Sequence, residues 1–268
     1  MEAQYPVVEP FVDLNLQPGS CALAVMAKTP RAGAVKTRLV PALDAVEAAL
    51  LNTCFLRDVT GCIATLTSKS IHGYVAYTPA GQESAFDGLL PAGFRLLPQR
   101  GADLGERLLH ATEDFLAAGY EAVCLINSDS PTLPSELPRT TAHGWHAAGD
   151  RLVLGEAVDG GYYLIGLKRA YRRLFSDITW SSSAVFHQTM ERARELRLDV
   201  ELLPLWYDVD DLESLRWLCE ELFGPNGRHS PANLTPYYAS HTRDYLRSLI
   251  EKKGRRGLGL DLPAAGAC

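Results

Sequence analysis

A run of five apolar residues, Ala122-Val123-Cys124-Leu125-Ile126, stops abruptly at Asn127-Ser128-Asp129-Ser130-Pro131. A short, partly β-branched run that is apolar throughout predicts a strand buried on both faces, as in a parallel sheet. Such a strand delivers Asp129 to the carboxyl edge, where open α/β sheets bind ligands. A carboxylate there suits Mg²⁺ on a nucleotide phosphate, and it equally suits capping the turn that follows.

A second group of residues is basic. Cys21–Ala27 (CALAVMA) predicts a first strand, and the loop after it carries Lys28, Arg31, Lys36 and Arg38, with Gly33 among them. Lys acts on phosphate as a point charge and Arg as a planar fork, so this loop reads as an anion site. It is not a Walker loop, because Val35 rather than Gly precedes Lys36. Further on, Gly101 and Gly105 flank Asp103 ahead of a helix, a turn in which a ligand can approach the backbone. Asp159-Gly160-Gly161 joins two strand-like segments, and a tight hairpin accounts for it fully. Asp208, Asp210 and Asp211 place three acids in four residues. A helix cap explains one of them.

The elements that must position these residues follow from the apolar pattern. Strands are expected at Ile71–Tyr77, Phe94–Leu97, Arg151–Glu156, Tyr162–Leu167 and Val200–Leu205. Helices are expected at Asp44–Thr65, from Gly105 to about Ala118, at Glu136–Ala148, Ala184–Leu196, Leu212–Leu222 and Thr242–Lys253. Residues 1–20 read as a flexible lead-in, and 224–268 as linker, helix and flexible tail.

The chain has 268 residues, 47% of them hydrophobic, with a formal net charge of −6. That suffices for one sizeable α/β domain and leaves no global basic field for nucleic acid. Six cysteines without a C-x-x-C pair fit a reduced, cytoplasmic protein rather than a disulfide scaffold. No window is apolar enough for a membrane span. The sequence is compatible with a homo-oligomer.

AVMAKTPRAGAVKTRL, RGADLGERL, INSDSPTLP, VLGEAVDGGYYLIGL, ITWSS and LPLWYDVDDLESL occur in that order between Cys21 and Leu222. Together they resemble the bacterial GT-A-type, glycosyltransferase-like family of unassigned substrate (DUF2064 type), which is similar to phospholactate guanylyltransferase. The resemblance implies a single Rossmann-like nucleotide-diphospho-sugar transferase domain over 21–223, with a mixed, mainly parallel sheet flanked by helices. It also implies a Mg²⁺- (or Mn²⁺-) dependent transferase with a nucleotide donor and a small acceptor. By the resemblance, Lys28, Lys36 and Arg38 hold donor phosphates, with Arg31 and Gly33 in the same loop. Gly101, Asp103 and Arg107 lie near the base or ribose. Asp129 and Asp210 hold the metal, and Asp159, Gly160 and Gly161 face the acceptor. Lys36, Asp129 and Asp159 are the catalytic candidates. Asn127 stands where the family usually has Gly, Asp211 where it has Thr, and Ser182 where a Trp-Ser-Thr triplet has its Thr. A nucleotide sugar donor implies glycosyl transfer and a nucleoside triphosphate implies nucleotidylyl transfer. A nucleotide-binding protein without turnover is the further alternative.

Overall fold

Seven apolar segments pair into one sheet because each is short, β-rich and bounded by turn residues. The computed structural model describes residues 4–8, 14–40, 42–146, 149–224 and 234–261. The strands are β1 (Cys21–Lys28), β2 (Ile71–Thr78), β3 (Arg95–Pro98), β4 (Ala122–Asn127), β5 (Arg151–Ala157), β6 (Tyr162–Leu167) and β7 (Asp199–Trp206), in the order β3-β2-β1-β4-β6-β5-β7. The pairs β1–β2, β1–β4, β2–β3 and β5–β7 are parallel, and β6 runs antiparallel to both β4 and β5. The sheet is therefore mixed and mainly parallel, as the resemblance implied. Met26 of β1 stands beside Asn127 of β4, so the basic loop and Asp129 leave the sheet side by side.

Among the described residues six helices cover the sheet: α1 (Ala45–Ala64), α2 (Leu104–Ala117), α3 (Glu136–His143), α4 (Val185–Glu195), α5 (Leu212–Phe223) and α6 (Ser240–Gly257). Alternate residues of β1 choose the face. Leu23 and Val25 join Leu51 and Phe55 of α1, Leu137 of α3, Leu218 of α5 and Leu246 of α6 in one core. Ala22 and Ala24 join Phe115 of α2 and Ala193 of α4 in the other. This is the period-2 rule of a strand buried on both sides. Each fully buried Leu or Phe contributes about 1.5–3 kcal/mol.

The chain ends are more structured than their composition suggests. In the expected lead-in, Tyr5 and Val8 are buried, and the Val8 N–H donates to Leu96 O at 2.8 Å. The segment covers the exposed edge of β3, whose backbone groups need partners. After α5, the 225–233 part of the linker lies outside the described residues. The helix expected at Thr242–Lys253 starts at Ser240 and breaks at Gly254 (φ 71, ψ 157), a further turn reaches Gly257, and Leu258 and Leu260 beyond it are buried. Asp58 of α1 accepts the backbone N–H groups of His241 and Thr242 at 3.1 and 2.8 Å, which satisfies the start of α6. Residues 262–268 lie outside the described part. The helix expected to reach Ala148 ends at His143, where Gly144 caps it and a 3₁₀ turn follows to His146. Among the described residues no helix is long and apolar enough to cross a membrane.

Candidate active site

The loop after β1 turns at Gly33 (φ 76) and again at Lys36, which holds φ 49. A lysine in the left-handed region is unusual and needs external support. Its side chain supplies that support. Lys36 Nζ lies 2.5 Å from Asp129 Oδ1 and 2.8 Å from Asp210 Oδ1, and donates to Val209 O at 2.7 Å. The side chain is 3% exposed, and its Nζ lies over the Phe55 ring, 5.4 Å from the centroid. Burial alone would lower the Lys36 pKa, but the Asp129 and Asp210 carboxylates outweigh it and raise it. The Val209 N–H donates to Asp129 O at 2.9 Å, which ties the loop after β7 to the loop after β4.

Three of the acids gather beside this pair. Asp159, Asp208 and Asp210 each offer a carboxylate oxygen within 4.8 Å of the others. Burial first, and then the charges of Asp159, Asp210 and Asp129, push the Asp208 carboxyl up to about 7. Asp159 is fixed by its own turn, where its Oδ1 accepts the Gly161 N–H at 2.8 Å. Gly160 has φ +85, and a Cβ there would lie 2.2 Å from Ser183 O. Only glycine fits, so the hairpin packs directly on the serine loop before α4. Asp211 is the helix cap: its Oδ1 accepts the Ser214 N–H at 2.9 Å. Thr and Asp are both good N-caps, so the substitution at this position keeps the local structure.

Two cavities meet at these acids. One of about 350 Å³ is bordered by Lys28, Lys36, Gln99 and Arg107. The other, of about 400 Å³, is bordered by Arg38, Asp159, Asp208, Trp180 and the serines 181–183. Leu104, Asn127, Asp129 and Asp210 border both. A third cavity of about 290 Å³ adjoins the first and adds Arg31 to Lys28 and Arg107. Trp180 is seated against Gly105, where a Cβ would come within 2.6 Å of its Nε1.

The expected residues distribute unevenly over this frame. Lys28, Arg31 and Arg107 border the first compartment or its extension. Arg38 borders the second instead, among the acids. Lys36 borders the first compartment, and its ammonium donates to Val209 O and Asp210 Oδ1 with Asp129 Oδ1 2.5 Å away. Gly33 supplies the turn in its loop. Gly101 has φ +127, and a Cβ there would lie 2.6 Å from Glu106 Cβ. Asp103 caps α2 through the Glu106 N–H at 2.8 Å and borders a separate cavity of about 240 Å³. Gly161 lines the second compartment, and Gly160 supports it from behind. Sequence reasoning did not select Asp208. The signal was the excess of acids, since Asp211 accounts for the cap and Asp210 for one ligand.

The donor set at the junction is all oxygen and strongly acidic, which fits a hard divalent cation such as Mg²⁺ or Mn²⁺. Asp208, Asp210 and Asp159 are the residues that would hold it, with Asp129 beside them.

Residues 62–182 match the model of the family described as uncharacterized protein conserved in bacteria (DUF2064). No curated protein matches the chain in sequence. Among solved structures, a candidate nucleotide-diphospho-sugar transferase from Desulfovibrio desulfuricans G20 is 31% identical, with TM-score 0.75. The match covers 92% of this chain and 100% of that one. A cytidylyltransferase from Leptospira borgpetersenii is 10% identical over 92% of this chain and 99% of that one, with TM-score 0.47. A CMP:2-keto-3-deoxy-manno-octonic acid synthetase complexed with CTP is 12% identical over 74% and 96%, with TM-score 0.44. The chain belongs to the DUF2064 family and has the Rossmann-like nucleotide-diphospho-sugar transferase fold.

Proposed function

We propose that this protein is a divalent-cation-dependent transferase that binds a nucleotide-diphospho-sugar in the first compartment and passes its glycosyl group to a small acceptor in the second. The observation that carries the reading is the pair of adjoining cavities, basic on one side and acidic on the other, sharing Asp129 and Asp210. Lys28 and Arg107 neutralise the donor diphosphate. Asp159, the exposed member of the acid group, faces the second cavity and takes the proton of the acceptor hydroxyl. The acceptor oxygen bonds to the anomeric carbon as the bond from that carbon to the phosphate oxygen breaks, and the nucleoside diphosphate leaves. A cation held by Asp208 and Asp210 would supply charge neutralisation for that leaving group. Everything else is positioning.

One observation favours a second reading. Lys28, Arg31 and Arg107 together border the extension of the first cavity, and three cations suit a departing pyrophosphate. In that nucleotidylyl transfer, a phosphate or phosphonate oxygen of the acceptor attacks the α-phosphorus of a nucleoside triphosphate.

A thermal-shift screen with Mg²⁺ separates the two readings. It uses nucleoside triphosphates and UDP-, GDP-, ADP-, CDP- and dTDP-sugars, on wild type and Asp129→Ala. A ligand at a hundred times its Kd adds about 2.7 kcal/mol to stability. Stabilisation by one nucleotide sugar, lost in the variant, is the expected result. Stabilisation by a triphosphate alone selects nucleotidylyl transfer, and no Mg²⁺-dependent shift with any nucleotide rules out both.

A further inference from the structure

The resemblance assigns Lys36 to donor phosphates, but its geometry points elsewhere. The ammonium has three N–H groups, and three protein oxygens lie within 2.8 Å: Asp129 Oδ1, Asp210 Oδ1 and Val209 O. The side chain is 3% exposed, and its ammonium is engaged by these oxygens rather than left open to a phosphate. Lys36 holds a left-handed backbone, and the ion pairs it makes across the fold fix it there. One of its carboxylates, Asp210, also belongs to the three-acid group. A divalent cation bound by that group and the Lys36 ammonium therefore compete for one carboxylate, and two cations so close repel steeply.

We propose that Lys36 is a resident cation: in the metal-free protein its ammonium stands between Asp129 and Asp210, holds the two loops together, and gives way when a divalent cation arrives. The inference rests on the cation site of the proposed transferase and not on which donor it uses. A flexible four-carbon stem lets the ammonium move without moving the sheet. Lys36 also borders the first compartment, which receives it on release. There it would meet the donor phosphates, so that cation binding prepares the anion site. Lys36 is in this sense a positioning residue for the acids before it is a ligand of anything.

The test uses Mn²⁺ as probe and no nucleotide. Lys36→Met keeps the stem and removes the charge, and calorimetry should show Mn²⁺ binding at least about tenfold tighter than in wild type. In wild type, labelling with an amine-reactive ester read by mass spectrometry should leave Lys36 unmodified without metal and modify it under saturating Mn²⁺. The labelling needs no variant, so it decides the matter should Lys36→Met fail to fold. Equal or weaker Mn²⁺ binding by the variant overturns the proposal, as does Lys36 labelling that ignores Mn²⁺. If both proteins bind Mn²⁺ equally, only the assignment of Lys36 falls. If neither binds it, the cation-dependent reading of the site falls too.

Discussion

The two compartments share a wall and oppose each other in charge. The first is bordered by Lys28 and Arg107 with Gln99 between strands β1 and β2, where Gln99 Nε2 donates to Ala76 O at 2.7 Å. The second is bordered by Asp129, Asp159, Asp208 and Asp210, with Arg38 at its edge. They also differ in how they are built. The first takes its cations from the loop after β1 and the start of α2, and most of the rest of its wall from the ends of β2, β3, β4 and β7. The second takes its acids from the ends of β4, β5 and β7 and closes them with the serine loop, segments brought together only by the fold. A set of cations drawn from two short segments tolerates change residue by residue. A set of acids gathered from three strand ends depends on each close packing that holds them together.

Gly160→Ala is the strongest way to break the difference. A Cβ would meet Ser183 O at 2.2 Å with φ at +85, so the variant should lose about 3 kcal/mol in urea unfolding. The serine loop must shift, and acceptor turnover should fall further than donor affinity. Equal loss of both would mean that the compartments are not separable.

Removing the basic side is the next largest effect. Lys28→Ala with Arg107→Ala should weaken nucleotide binding about 100-fold by calorimetry. Mn²⁺ affinity should stay where it was, and a fall in it would show that the charge separation is not functional.

Asp208→Asn sharpens the acidic side. Burial and three neighbouring acids penalise this carboxylate, so the variant should stabilise the metal-free protein by about 1 kcal/mol while weakening Mn²⁺ binding. A variant that is less stable would place Asp208 in a favourable network instead.

The smallest effect lies outside both compartments. Burial alone would raise the Glu47 carboxyl, but the Lys253 ammonium and the Asp44 backbone N–H hold it below its usual 4.5. A lowered folded value means stabilisation that is complete above 4.5 and lost as pH falls through the folded value. Glu47→Gln should cost about 1 kcal/mol at pH 7 and progressively less as the pH falls below 4.5, with nucleotide and Mn²⁺ binding unchanged. A pH-independent cost would remove Lys253 from the account.

Much of the frame was legible residue by residue. Ala122–Ile126 reads as a buried strand because every position is apolar, and β4 adds only Asn127 to it. Asp44 reads as a helix start, and its side chain accepts the Val46 and Glu47 N–H groups at 2.9 and 2.8 Å. Tyr5, Leu258 and Leu260 were not legible. Each is an isolated apolar residue among turn formers and charges, and nothing local says that a core lies within reach. Asp103 and Arg38 show the converse. Their charges suit a nucleotide site, but one caps α2 and the other borders the opposite compartment.

The sequence by itself located the seven strands to within about a residue at each end and showed that one of the late acids caps a helix, because apolar runs and turn residues act over a few positions. It thereby brought Lys28, Asp129, Asp159 and the late acids to the carboxyl edge. Only the tertiary structure decided who meets whom there. Lys36 finds Asp210 across 174 positions of chain, and Asp208 joins Asp159 because β5 and β7 are neighbours in the sheet. Charge pairing depends on distances of a few ångströms, and those are set by strand order and loop crossing, which no local pattern encodes.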